Sequence, residues 1–197
     1  MSLAAISDDS LCAAGAGGIR DRLKVSTAAD HHALDERLSQ LDLTTTAHYR
    51  RFLRASAAAL LPLEQALEDA GVARVIHDWA ERRRTEAIRA DLADVRGTAV
   101  TMGLPVPILD RPALFGTLYV LEGSRLGAAY LLRVVTASAD PRVRSATRYL
   151  RHGAGRGLWR SFLTQFAREP ASPDDEERMI VSAREAFAMF AKAMAAA

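Results

Sequence analysis

Apolar residues recur three and four positions apart along most of the chain, and period-two alternation is almost absent, which predicts an all-α protein. The first such window, Ile19 to Leu41, sets Ile19, Leu23, Thr27, Leu34, Leu38 and Leu41 on one stripe of a single helix. Thr44 or Thr45 caps a second helix that runs to Ala70 and stops at Gly71. Pro62 lies inside it, and a ring without an N–H predicts a kink or a break there. A third helix is read from Ala73 to Val95, ended by Gly97. After the Pro- and Gly-rich stretch GTAVTMGLPVP, Asp110 as N-cap and Pro112 in the first turn open a helix reaching Val135. Shorter segments follow over Pro141 to Leu150 and Gly157 to Arg168. Ser172 and Pro173 then start the last helix, with Asp174, Asp175 and Glu176 on the positive end of its dipole. The chain carries no internal repeat and no coiled-coil heptads.

Two placements on this pattern carry candidate chemistry. At about 100° per residue, His31 falls on the edge of the first apolar stripe, within about 60° of its centre, and so turns inward. His32 is displaced by a further step towards solvent, while Lys24, two turns before His31, projects from nearly the same angle. A lone inward histidine serves either as a hydrogen-bonding residue at a helix interface or as a metal ligand, and spacing leaves both open. In LFGTLYVLEGSRLGAAYLL, Gly116, Tyr119, Gly123, Gly127 and Tyr130 share one narrow sector. An interior glycine costs about 0.5–1 kcal/mol relative to alanine, so glycines gathered on one helical face need a compensating reason. Close packing of a second helix is one such reason, and a flat ligand lying on the backbone is another. Glu122 and Ser124 flank the notch, either ordering water or acting as solvated or capping side chains.

Composition narrows the setting. A chain of 197 residues, 49% of them hydrophobic, supports one core and one domain, read as residues 19–197 behind a disordered tail, 1–18. A net charge of +2 gives no general argument for a nucleic-acid or membrane surface. The run Arg82-Arg83-Arg84, with Arg89, alternates with acids and is read as a solvated face. No apolar run approaches the roughly 18–20 residues that span a bilayer. The tail lacks a basic signal-like start and is interrupted by Asp8 and Asp9, and Cys12 is the only cysteine, so a reduced, cytoplasmic setting is expected. None of the five histidines has Glu three residues before it, which disfavours a di-iron carboxylate bundle. His48, His77 and His152 read as surface or interface residues, and Trp79 and Trp159 as core anchors.

The segment LKVSTAADHHALDERL resembles the proximal helix of haem oxygenases, and LYVLEGSRLGAAYLLR resembles the distal helix of their bacterial members, particularly those associated with bacteriophytochromes. HYRRFL, the LPLEQAL stretch around Glu64, and GLWRSFLTQF extend the likeness over Leu23 to Phe190, with EGSRLGA its most specific part. The resemblance implies a single-domain haem oxygenase-like fold with haem between a proximal and a kinked distal helix. It makes His31 the iron ligand, Gly123 and Gly127 the residues nearest the distal face, and Ser124 their partner in organising water. Lys24 and Tyr119, and Arg160 in the later helix, match positions that meet the haem propionates. Ala128 stands where many relatives have glycine, and Ala28 where some carry a second basic residue. The implied activity opens haem, both cofactor and substrate, to biliverdin, carbon monoxide and ferrous iron. It uses O2 and electrons from a separate reductase or ferredoxin, since no flavin or nicotinamide motif is present. A bacteriophytochrome is a possible bilin acceptor. A haem-binding or haem-transfer module without turnover, and a cofactor-free helical protein binding a small molecule, are the alternatives.

Overall fold

The computed structural model describes residues 18–99 and 108–197. The expected tail, Cys12 and most of the Pro- and Gly-rich stretch before Asp110 lie outside the described residues. Ten α-helices occur among the described residues: α1 (Ile19–Ser26), α2 (Ala28–Ser39), α3 (Thr46–Asp69), α4 (Trp79–Arg82), α5 (Thr85–Asp94), α6 (Arg111–Thr136), α7 (Pro141–Ser145), α8 (Arg148–Arg151), α9 (Leu158–Phe166) and α10 (Pro173–Ala196). A 3-10 turn, Val72–Arg74, follows Gly71, which adopts φ 77°. The fold is all-α.

Local caps explain the helix starts that the pattern anticipates. Asp110 accepts from the Ala113 amide at 3.0 Å with Pro112 in the first turn. Ser172 and Asp175 form a reciprocal capping box at the head of α10. Thr45 caps α3 through the His48 amide, and α3 then runs unbroken across Pro62.

Three expected helices are instead divided. The first breaks at Thr27, whose hydroxyl donates to the Leu23 carbonyl at 2.7 Å and competes with the helical ladder there. The third is interrupted at Arg83, which is extended at φ −64°, ψ 137°. The Glu64 carboxylate, arriving from α3, accepts from the amides of Arg84 and Thr85 and from the Thr85 hydroxyl, at 2.7, 3.0 and 2.6 Å. The segment after Pro141 is divided in the same way: Asp91 of α5, fully buried, accepts from the Arg148 and Tyr149 amides at 3.0 and 2.8 Å and starts α8. A buried carboxylate from a neighbouring helix thus supplies the cap that the local sequence lacks.

Helix α10 packs against α6, α3, α2 and α1. Its closest approach to α6 is at Gly116, where an added Cβ would lie 2.1 Å from the Met179 carbonyl oxygen. Beside that contact Thr117 and Ser182 share a hydrogen bond of 2.8 Å, and Ser182 also donates to the Ala113 carbonyl at 2.7 Å. The rings of Trp159, Phe162 and Phe166 stack in sequence along α9, with centroids 5.5–5.7 Å apart, and continue to Phe115. This fastens α9 against the first half of α6 and leaves the second half facing a cavity.

Candidate functional site

The cavity, of about 430 Å³, opens between the α1–α2 pair and α6, within the roughly 300–1,000 Å³ usual for small-molecule sites. Lys24, Thr27 and His31 line it from one side and Tyr119, Gly123, Ser124 and Gly127 from the other. Phe52 and Ser56 of α3, Tyr149 of α8, Trp159 of α9 and Phe187 of α10 close its apolar walls.

His31 enters the cavity through helical phase. Its Nδ1 lies 3.2 Å from Oδ2 of Asp35, one turn later, and its ring meets Phe187 edge-on at 5.8 Å and 72°. The carboxylate lies beside the imidazole without hydrogen-bonding it, the phenyl ring packs against it, and Nε2 has no partner among the described residues. Its side chain remains 53% exposed, because the cavity is open and not because the ring turns away. Burial raises the Asp35 carboxyl pKa, opposed by the nearby His31 and His32. His32 faces solvent as expected, with Nε2 3.2 Å from the exposed Glu36, and also borders the cavity at its rim. An imidazole with one nitrogen beside a carboxylate and the other unpartnered among the described residues could act as a metal ligand. Among the described residues no three His, Cys, Asp or Glu side chains converge on a metal position. A lone histidine donor would suit a metal that brings its other ligands with it.

The glycines of α6 separate by neighbour. Gly116 is a packing glycine against α10, whereas a Cβ at Gly123 would meet only the Trp159 ring, at 3.7 Å. Gly123 and Gly127 leave bare backbone along the wall that helix α2 faces. Tyr119 packs its ring on Trp159 at 5.6 Å, and burial raises its phenol pKa. Lys24 is joined at the cavity by Arg20, one turn earlier on α1, which helical spacing from Lys24 makes legible although the pattern was read without it.

Ser124 donates its hydroxyl proton to the Leu121 carbonyl at 2.7 Å and accepts from Arg84 at 2.9 Å. Its remaining lone pair is an acceptor for water. Glu122 does not flank the notch. It is buried behind α6, where Arg82 and Arg125 donate to it at 2.8–3.0 Å. Arg160 is exposed on α9 and does not line the cavity. It stands about 100° from Trp159, whose ring takes the wall position instead. Ala28 and Ala128, the two departures from the family pattern, both line the cavity.

The reading of Arg82-Arg83-Arg84 as a solvated face is overturned. Arg82 and Arg84 are each 3% exposed, and only Arg83 is on the surface. The extended backbone at Arg83 sends its two neighbours to the same side, as in a strand. Arg82 also donates to Ser161 at 2.7 Å and to the Leu158 carbonyl at 2.9 Å, tying α4 to α9. His152 borders this group. Burial and the nearby Arg125 and Arg84 push its imidazole down to about 4. His48 accepts from the Asp42 amide at 3.0 Å, and His77 is exposed. Trp79 is a core anchor, whereas Trp159 is half-buried and shared between the core and the cavity.

The family model described as Heme oxygenase matches residues 18–196. A heme oxygenase of Xanthomonas campestris pv. campestris is 32% identical over 152 residues, 75% of this chain and 89% of that protein. Heme oxygenase PigA of Pseudomonas aeruginosa is 28% identical over 180 residues, 86% of this chain and 87% of its own. Among solved structures, the NO- and CO-bound heme oxygenase of Neisseria meningitidis superposes with a TM-score of 0.75 at 26% identity, covering 89% of each chain. A heme oxygenase from Leptospira interrogans shares the fold, with a TM-score of 0.70 at 15% identity over 92% of this chain and 100% of that one. No helix among the described residues is long and apolar enough to cross a membrane.

Proposed function

The chain belongs to the haem oxygenase family, which degrades haem oxidatively, and from that premise we propose that it opens haem to biliverdin, carbon monoxide and ferrous iron, with His31 as iron ligand. The observation that carries this reading is the free Nε2 of His31 across an open cavity from the bare backbone of Gly123 and Gly127. The residues present fit the group. The walls are mainly apolar, Gly123 has no Cβ to fill the space beside Trp159, and Lys24 and Arg20 offer cations for two propionates.

Bound haem supplies both the iron that activates oxygen and the ring that is oxidised. The protein's own residues orient and select. Asp35 lies 3.2 Å from Nδ1 of His31, which leaves Nε2 as the nitrogen that would hold the iron. Gly123 and Gly127 themselves bring no acid or base to the distal wall, so neither position would take part in proton transfer there. Ser124, its proton committed to Leu121, presents a lone pair that receives a water O–H and fixes that water's orientation. Electrons come from a separate reductase or ferredoxin in a cytoplasmic setting, and a bacteriophytochrome is a fitting bilin acceptor. Arg160 belongs to this reading only as a surface cation, outside the cavity.

Haemin added to the purified protein tests the reading. The expected result is a histidine-type Soret band, lost or shifted in His31→Ala, followed by a green bilin and carbon monoxide when reductant is supplied in air. Haem bound without turnover would assign the chain as a carrier of the same fold, and absence of haem binding would overturn the reading altogether.

A further inference from the structure

Arg84 is a buried cation in the wall of the cavity, 3% exposed, on the Ser124 side and opposite His31. Its guanidinium donates to Ser124 Oγ at 2.9 Å and to the Leu121 carbonyl at 3.0 Å, and the ring of Tyr149 lies 5.4 Å from its central carbon. All three partners are neutral. The Nε–H is buried and without a partner among the described residues. Glu64, the nearest acid in its own bonding, is engaged by the Arg84 backbone amide and by Thr85 rather than by the guanidinium.

An uncompensated buried guanidinium is costly, and arginine does not relieve the cost by losing its proton. The neighbouring charges leave it uncancelled. Arg82 and Arg125 are paired with Glu122 behind the same stretch of α6, and Arg82 also with Asp78. His152, which borders them, is held neutral over the ordinary range, so the charge of this wall rests on Arg84 and not on His152. Negative charge arriving in the cavity on this side therefore meets a preformed cation in a poorly hydrated wall, where the attraction is stronger than in water.

We propose that Arg84 makes this wall of the cavity selective for anions, so that a small anion bound opposite His31 is held more tightly than a neutral ligand of similar size. The inference rests on the haem reading above and adds to it the class of distal ligand that the wall favours. Arg84 acts through its charge; Ser124, which it also orients, is the route by which it would act if hydrogen bonding alone mattered.

The test uses the ferric haem complex, titrated by its visible spectrum with azide and separately with neutral imidazole, in wild type, Arg84→Gln, Arg84→Lys and Ser124→Ala. The expected result is a loss of azide affinity of about tenfold or more in Arg84→Gln, equivalent to roughly 1.4 kcal/mol. Imidazole affinity should stay within about twofold, a change too small to matter on the same scale. Arg84→Lys, which keeps the charge but not the fork, should retain most of the azide affinity and carries the test if the glutamine variant does not fold. Equal loss of azide and imidazole, no loss of either, or a Lys variant and Ser124→Ala that lose azide as fully as the glutamine variant, would overturn the proposal. A wild-type protein that gives no haem spectrum would instead overturn the reading beneath it.

Discussion

Gly116 and Gly123 share a face of α6 but sit against different neighbours, and substitution separates them. A Cβ at Gly116 would lie 2.1 Å from a backbone carbonyl of α10, which no rotamer change relieves. Gly116→Ala is therefore expected to lower stability by about 1–3 kcal/mol. Gly123→Ala meets only the edge of Trp159, at 3.7 Å. It should gain about 0.5–1 kcal/mol from helix propensity while altering haem seating. Urea unfolding of the cofactor-free variants checks both signs, and loss of stability in both would remove the distinction. At this scale the sequence was informative where a residue lies on a regular helix. Phase brought His31, Lys24, Tyr119, Gly123 and Gly127 to one cavity. Arg160, named by resemblance and not by phase, lies outside that cavity because Trp159 takes the inward position on α9, and phase missed Arg84, because the inward turn depends on an extended Arg83.

Between elements, Glu64 and Asp91 do for α5 and α8 what Ser172 does locally for α10. Glu64 lies 20 or 21 positions before the amides it caps and Asp91 57 or 58 positions before its own, so neither break in the helical pattern was legible from nearby residues. The long helices α3, α6 and α10 were legible, since their caps or their apolar faces are their own. Removing Glu64 leaves two buried amides and a hydroxyl without their acceptor. Glu64→Ala should lower stability by about 2–4 kcal/mol and disturb the Arg84 side of the cavity. An unfolding midpoint unchanged from wild type would show that water replaces the carboxylate fully. The end of α5 offers the opposite sign. Arg96, not Gly97, holds the left-handed conformation there, at φ 54°, with Gly97 donating to Leu92 at 2.8 Å. Arg96→Gly should raise stability by about 0.5–1 kcal/mol in thermal unfolding.

Over the whole molecule, the burial of His152 beside Arg125 and Arg84 gives acid sensitivity a definite window. The folded-state pKa of His152, about 4, lies below its ordinary 6.5, so the folded protein binds fewer protons than the unfolded chain between those values. The stability linked to neutral His152 is present above pH 6.5 and is lost as pH falls towards 4. His152→Gln, which carries no titrating ring, should flatten the fall in unfolding free energy across that interval. An identical slope in the variant would show that His152 does not contribute.

The contact of Gly116 with Met179, and the hydrogen bonds beside it, have a mechanical meaning for α6 as well. The helix is a beam held at both ends. Leu114 to Leu118 are buried and clamped to α10, Val135 is buried at the far end, and Gly123 and Gly127 border the cavity between them. A load applied at mid-span bows such a beam without moving its supports. On the haem reading, the glycine stretch would yield to a ring while the core at either end is left undisturbed.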